Sequence, residues 1–181
     1  ILPHGIELLN DMSALPDPQN AELCADHGTS LLIMHSVGAP KIPHTEQTWP
    51  DVIASLLDFF DEKITLAESV GLPRDAIVLD PGIDFAKQAH DNLTIFRDLD
   101  RLLTFKRPIL VPISRKTVIG EVLDQPDPND RDPGTIACAA AAIRRHAHIL
   151  RVHHVEATYQ SVRVLDALGT PHHTRPQITL R

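Results

Sequence analysis

Short apolar runs recur along this chain, each stopping at polar or turn-forming residues and each followed by a stretch of helix-like spacing. The runs predict β-strands and the spaced stretches predict helices. Ile6 to Leu9 is the first run, ending at Asn10-Asp11, and a helix is expected from Gln19 to His27, closed by Gly28. Leu31-Leu32-Ile33 is the second run and ends at Met34-His35, before a Gly/Pro-rich loop from Ser36 to His44 that is long enough to move. Between Asp51 and Glu68, Val52, Leu56, Phe59, Phe60 and Ile64 form a helical stripe that Gly71 and Pro73 end. The third run, Ile77-Val78-Leu79, breaks at Asp80-Pro81-Gly82. Asn92 is expected to cap a helix running through Ile95, Leu99 and Leu102 to about Phe105. Ile109 to Val111 is the fourth run, followed by Ser114-Arg115-Lys116, a short helix from Thr117 to Leu123 and a polar loop to Pro133. Thr135 is expected to cap an alanine-rich helix to about His146, Ile149-Leu150 to begin the fifth strand, and Ala157 to Leu168 to form the last helix.

Strands that alternate with helices in this way predict an α/β protein with a parallel sheet, because each return to the same edge needs a crossover. A complete eight-stranded barrel takes about 250 residues. The 181 residues here accommodate about five units, one domain over 1–169 and an extended tail over 170–181.

Composition adds little to the fold and more to the partners. The chain is 43% hydrophobic with a net charge of -7 and no Lys/Arg run, which argues against a nucleic-acid surface but leaves room for a small anion held by local cations. Cys24 and Cys138 lack metal-ligand spacing and read as buried thiols of a cytoplasmic protein. No signal peptide or membrane-length apolar span is present in the sequence, which opens on Ile1 rather than methionine and suggests residues upstream.

The polar residues at the ends of the apolar runs form a mixed set: Asn10-Asp11, Met34-His35, Asp80, Ser114-Arg115-Lys116, and Arg151 with His153. At the carboxyl ends of parallel strands they would share one mouth, where ligands bind in such folds. Asp80 can accept two hydrogen bonds from a planar N–H/NH2 edge, and Asn10 can serve a second edge. Lys116 and Arg151 supply cations for ring atoms or phosphate oxygens, and His153 adds an adjustable donor. Each has a plainer reading: Asp80 as a turn cap, Asn10 as a loop residue, Lys116 as a solvated charge, and His35 or His153 as a structural histidine.

Taken in order, Leu8-Leu9-Asn10-Asp11, Ile33-Met34-His35, Asp80-Pro81-Gly82-Ile83-x-Phe85-x-Lys87, Ser114-Arg115-Lys116 and Leu150-Arg151-Val152-His153 resemble the dihydropteroate synthase family of pterin-binding TIM barrels, over about Gly5 to Leu168. The resemblance implies a partial TIM (β/α)8 barrel of about five C-terminal units, beginning at about the fourth strand. It implies a transferase of folate biosynthesis that condenses a hydroxymethyl-dihydropterin pyrophosphate with p-aminobenzoate, releasing pyrophosphate. Asn10, Met12, Met34, Asp80, Phe85, Lys116 and Arg151 would line the pterin, and Arg151 and His153 would take the pyrophosphate. Phe85, Lys116 and Thr117 would face p-aminobenzoate, with Lys116, Arg151 and His153 carrying the catalysis. Magnesium is implied as cofactor, its protein ligand expected upstream of this chain, and a homodimer is common in the family. The isolated chain is expected to lack synthase activity.

The chain also departs from the family pattern. Asp84 and Ala86 stand where glycine is usual, and Asp84 adds negative charge near an anion site. Pro112 replaces a glycine, His154 an aspartate and Thr117 a serine. These departures also suit a non-catalytic pterin-binding paralogue. A metal-dependent barrel hydrolase, suggested by His146-Ala147-His148 and His153-His154, is the other class weighed, and bound zinc would reveal it.

Overall fold

The computed structural model describes residues 5–38 and 46–169. Five short parallel strands alternate with helices: β1 (Leu8–Asp11), α1 (Gln19–His27), β2 (Ser30–Met34), α2 (Val52–Ser69), β3 (Ile77–Asp80), α3 (Ala89–Arg97), β4 (Leu110–Val111), α4 (Thr117–Leu123), α5 (Asp132–Arg144), β5 (Ile149–Leu150) and α6 (Val155–Ala167). Each strand lies beside the next in sequence. β1, β2 and β3 pair in that order, β4 pairs with β5, and a bridge from Leu79 to Ile109 joins the two groups. The α/β class and parallel strands expected from the alternation are therefore present. The last part of the Ser36–His44 loop and the 170–181 tail lie outside the described residues.

Strand parity divides the apolar residues between two faces. Leu31, Ile33, Ile77, Leu79 and Val111 pack with Leu56, Phe60 and Ile64 of α2 in the larger core. Leu32, Met34, Val78 and Leu110 point the other way and form a second cluster with Leu8, Phe85 and Ile149. All residues of β2 and β3 are buried, the consequence of covering both faces. Burying each large aliphatic side chain contributes about 1.5–3 kcal/mol, so this two-sided burial is what holds such short strands in place.

Local signals set most of the boundaries. Asp51 caps α2, its carboxylate accepting from the N–H groups of Ile53 (3.0 Å) and Ala54 (2.9 Å). Gly28 closes α1 at φ 63°. Three expectations need correction. β1 begins at Leu8 and takes in Asn10 and Asp11, because Leu8 to Asp11 pair with Ser30 to Ile33 of β2. Asn92 is not a cap. α3 starts at Ala89 behind a reciprocal cap between Gln88 and Asp91, and the helical run breaks at Asp98 into a 3-10 segment over Leu99–Phe105. Thr135 lies inside α5, which starts at Asp132-Pro133 because proline suits the first helical turn. The Thr135 hydroxyl instead accepts from Arg115 N–H and donates to Arg131 O.

Eight described residues other than glycine adopt positive φ, among them Asp84 at 66° and Ala86 at 51°. This accounts for the glycines usual in the family at both places: the loop after β3 is left-handed there, and a Cβ is a cost. Aspartate bears that cost better than alanine does. Ala86→Gly should therefore raise stability by roughly 0.5–1 kcal/mol, since Ala86 contributes only its backbone carbonyl, which accepts from Trp49 Nε1–H. Urea denaturation of both proteins checks this, and a destabilised variant would contradict it.

Candidate functional site

The loop from Asp80 to Lys87 is built around close backbone approaches. Gly82 has φ 67°, and a Cβ on it would lie 2.0 Å from the His35 carbonyl oxygen at the end of β2, so no other residue fits. Lys87 fills the inside of this turn. Its Nζ reaches Gly82 O (3.0 Å), Phe85 O (3.0 Å), His35 O (3.5 Å) and His35 Nδ1 (2.9 Å). Burial lowers Lys87 to about 7. Burial, followed by the Lys87 charge, lowers His35 to about 3, so His35 is a neutral ring whose Nδ1 accepts from the lysine. His35 also packs against Trp49 and Phe59, at centroid distances of 5.1 and 4.8 Å. The plainer reading of His35 is correct.

Asp80 closes β3 with 4% of its surface exposed. Its Oδ1 accepts the Gly82 N–H at 2.7 Å. The turn-cap reading therefore holds for Oδ1, while Oδ2 has no hydrogen bond among the described residues and leaves the ligand reading available. Burial pushes the carboxyl up to about 6, against the downward pull of the Gly82 N–H and of Lys116, Lys87 and Arg151. The register pairs Met34 with Asp80 and Asn10 with Leu32, so Asn10, Met34 and Asp80 share the inner face of the sheet. Met34 is buried there, while Asn10 and Met12 are exposed on and just beyond β1.

Lys116 enters from the start of α4. Its Nζ donates to Ile83 O at 2.8 Å and sits 4.9 Å from the Phe85 ring centroid. Burial lowers its pKa, and Asp84 is the first charge opposing that fall. Lys116, Arg151 and His153 line one pocket of about 90 Å3 with Pro112, Ser114 and Val152. Its polar wall brings together two cationic side chains, an imidazole and a hydroxyl. His153 is fixed by Ser114, whose Oγ lies 2.8 Å from His153 Nδ1 and accepts the His153 N–H at 3.1 Å. Thr117 is exposed, and its N–H is given to Asp84 at 2.5 Å. The structure thus gathers Lys116, Arg151 and His153, with Phe85 beneath and Asp80 beside them, and leaves Asn10, Met12 and Thr117 at the margins.

Other charges flanking the strand ends do structural work. Asp11 holds its own turn, accepting from Ser13 N–H (2.7 Å), the Ser13 hydroxyl and Leu15 N–H (3.0 Å). Arg115 turns away into a bidentate pair with Asp132 (2.9 and 3.0 Å). His154 caps α6, its Nδ1 accepting Ala157 N–H at 3.2 Å, a role an aspartate would also fill. His148 accepts Ile109 N–H (3.1 Å) at the opposite ends of the strands. Among the described residues no group of three or more His, Cys, Asp or Glu is placed to hold a metal ion. The site's single buried carboxylate among lysines and an arginine does not fit magnesium, a hard cation that wants oxygen ligands.

The model of the pterin binding enzyme family matches residues 2–153. The chain belongs to that family. It is 40% identical over 168 residues to a dihydropteroate synthase of Synechocystis, covering 92% of this chain and 58% of the relative. With the Escherichia coli dihydropteroate synthase it shares 35% over 163 residues, covering 90% and 57%. The chain therefore spans somewhat under three-fifths of these relatives' length. Among solved structures, the Thermus thermophilus dihydropteroate synthase in complex with 4-aminobenzoate superposes with a TM-score of 0.87 at 36% identity, covering 92% of this chain and 68% of that one. The same enzyme in complex with 6HMPPP gives 0.86 at 36% identity, covering 92% and 66%.

Lys87, the last residue of the family motif, was missed as a site residue by sequence reasoning, which stopped at Phe85. Lysines read as surface charges, and only its position after a Pro-Gly turn hinted otherwise. Lys87→Met removes the donor from three carbonyls and His35, and should cost about 2–4 kcal/mol. Urea unfolding measures it, and a loss under 0.5 kcal/mol would contradict the clamp.

Proposed function

We propose that this chain is the pterin-holding part of a dihydropteroate synthase, with its five β/α units forming part of a (β/α)8 barrel whose C-terminal mouth is the site. One observation carries this reading: a buried carboxylate with one oxygen left without a hydrogen bond among the described residues, in the field of Lys116 and Arg151, which line a pocket at the strand ends. Asp80 would accept the guanidine-like edge of the pterin, Asn10 would serve a further edge, and Met12, Met34 and Phe85 would supply apolar contact. Lys116 would reach a ring atom and Arg151 would cover a face of the ring. The two Thermus thermophilus complexes, with 4-aminobenzoate and with 6HMPPP, hold the corresponding kinds of ligand on that enzyme.

In the reaction the arylamine nitrogen of p-aminobenzoate attacks the pterin methylene carbon, the C–O bond to pyrophosphate breaks, and the amine proton leaves to solvent. No side chain has to act as nucleophile. Arg151 and His153 would neutralise the charge that develops on the departing pyrophosphate, the kind of stabilisation that lowers a barrier when donors are held in advance. Magnesium belongs to this reading as the pyrophosphate's companion, with its protein ligand outside the residues described. A cytoplasmic location suits it, and among the described residues no helix is long and apolar enough to cross a membrane. Homodimerisation, the 1–169 domain and the 170–181 tail remain part of the proposal.

A non-catalytic pterin-binding paralogue is the second reading, favoured by one contact: Thr117, a residue expected to face p-aminobenzoate, has its N–H held by Asp84, which stands where glycine is usual. Calorimetric titration with the pterin pyrophosphate, paired with a pyrophosphate-release assay on a protein extended to the full length of its relatives, separates the two. Binding with release supports the synthase, and binding alone supports the paralogue.

Two outcomes follow from Asp80. Asp80→Ala should weaken pterin binding by about 3 kcal/mol, on the order of a hundredfold, and an unchanged affinity would reject the site. The pH dependence has a definite sign. An acid raised to about 6 in the fold favours the folded state at low pH and gives up that contribution as the pH rises through 6. Binding of a donor edge runs the other way, needing the carboxylate, so affinity should fall as the pH drops below about 6. Titrations between pH 5 and pH 8 test this; affinity that holds steady or rises at pH 5 would count against it.

A further inference from the structure

Asp84 is the departure from the family pattern that touches the most of this site. Its carboxylate accepts the N–H groups of Thr117 (2.5 Å) and Val118 (3.3 Å), the first two residues of α4. Lys116 immediately precedes them. Its Nζ returns to the neighbouring carbonyl, Ile83 O, at 2.8 Å. Both ends of Lys116 are therefore tied to consecutive residues of the loop after β3.

Asp84 is itself held from behind. Its N–H donates to Asn92 Oδ1 (2.9 Å), and Asn92 Nδ2 donates to Asp84 Oδ1 (3.1 Å) and to Gln88 O (3.1 Å). Asn92 is buried in α3, so the loop is braced against that helix. We propose that Asp84 is a positioning residue for Lys116: it pins the first turn of α4 and faces the lysine with a fixed negative charge, so that Lys116 meets a ligand on Asp80 as an ordered ammonium. This rests on the reading that Lys116 contacts the bound pterin, and it deepens that reading.

The groups that act on Lys116 come from two sides. Asp84 and Asp80 face it from the end of β3 and the loop after it, and Arg151 opposes from the end of β5. Phe85 lies under the amine, and His153 lines the same pocket. Burial lowers the lysine's pKa, and Asp84 is first among the charges that hold it up. A glycine at this position would satisfy the left-handed backbone and give Lys116 neither the anchor nor the charge.

Two variants separate charge from anchor. Asp84→Asn keeps one of the two acceptor oxygens for the α4 N–H groups and removes the charge, while Asp84→Gly removes both oxygens and the charge and suits φ 66°. The Lys116 titration is followed by NMR of its side-chain methylene in the unliganded protein, assigned by loss of the signal in Lys116→Gln. Affinity for the pterin pyrophosphate is measured at pH 7 and pH 9. The Lys116 midpoint should fall in Asp84→Asn, with affinity weakened more at pH 9, by about fivefold, than at pH 7. Asp84→Gly should lose about fivefold at both pH values. An unchanged midpoint in Asp84→Asn, or wild-type affinity at both pH values in Asp84→Gly, would overturn the proposal. If the parent protein binds no pterin while the midpoint still falls, the ligand reading fails and the coupling between Asp84 and Lys116 stands.

Discussion

A carboxylate buried at the end of β3 is the constraint around which the rest of this molecule is arranged. Water no longer stabilises Asp80, and burial alone pushes it toward the neutral form. What keeps it within reach of ionisation is one backbone donor and three cations: Gly82 N–H, Lys116, Lys87 and Arg151. Each of these has to be delivered by a different piece of chain. The tight turn at Gly82 brings the amide, the inward fold of Lys87 brings the nearest buried amine, and the starts of α4 and the end of β5 bring Lys116 and Arg151.

Supplying those partners constrains the backbone in turn. Lys87 can sit inside the loop only if several carbonyls face inward, which the left-handed residues from Gly82 to Ala86 allow. Gly82 must also approach the end of β2 too closely for any Cβ. The loop therefore costs conformational strain, and the hydrogen bonds of Lys87, Asp84 and Trp49 offset it. Neutral His35 completes the arrangement, since only an unprotonated ring can accept from a lysine ammonium.

How much of this was legible in the sequence differs by length scale. The alternation of elements was, because apolar periodicity is a property of single segments, and α1 and α4 match their expected bounds while β3 takes in Asp80 as well. The helix expected from Asn92 to Phe105 was not, since Asp98 interrupts a continuous apolar stripe with a change to 3-10 geometry that periodicity at positions 95, 99 and 102 cannot register. For the candidate site, Asp80, Lys116, Arg151 and His153 could be grouped from the sequence because strand ends in a parallel sheet converge. Lys87 and Asp84 were not assigned, because their roles depend on side chains folding back onto backbone groups that are close only in three dimensions, such as His35 and Lys87, or Asp84 and Thr117.

The site's charges are divided by depth, and that division bears on its chemistry. Asp80, Lys87 and the amine of Lys116 are wholly or largely withdrawn from solvent, where electrostatic interactions are strong and geometry is fixed. Arg151 and His153 are exposed and line a pocket together with Lys116. A flat ring with a donor edge is suited to the deep part, where a misplaced hydrogen bond is expensive and discrimination is correspondingly high. A leaving group that must depart is suited to the exposed part, where solvent screens the attraction once the bond is broken. A buried arginine would hold pyrophosphate too well, and an exposed Asp80 would scarcely distinguish one ring edge from another. Under the proposed function, the depth of each group would match the task its ligand sets, binding in one case and release in the other.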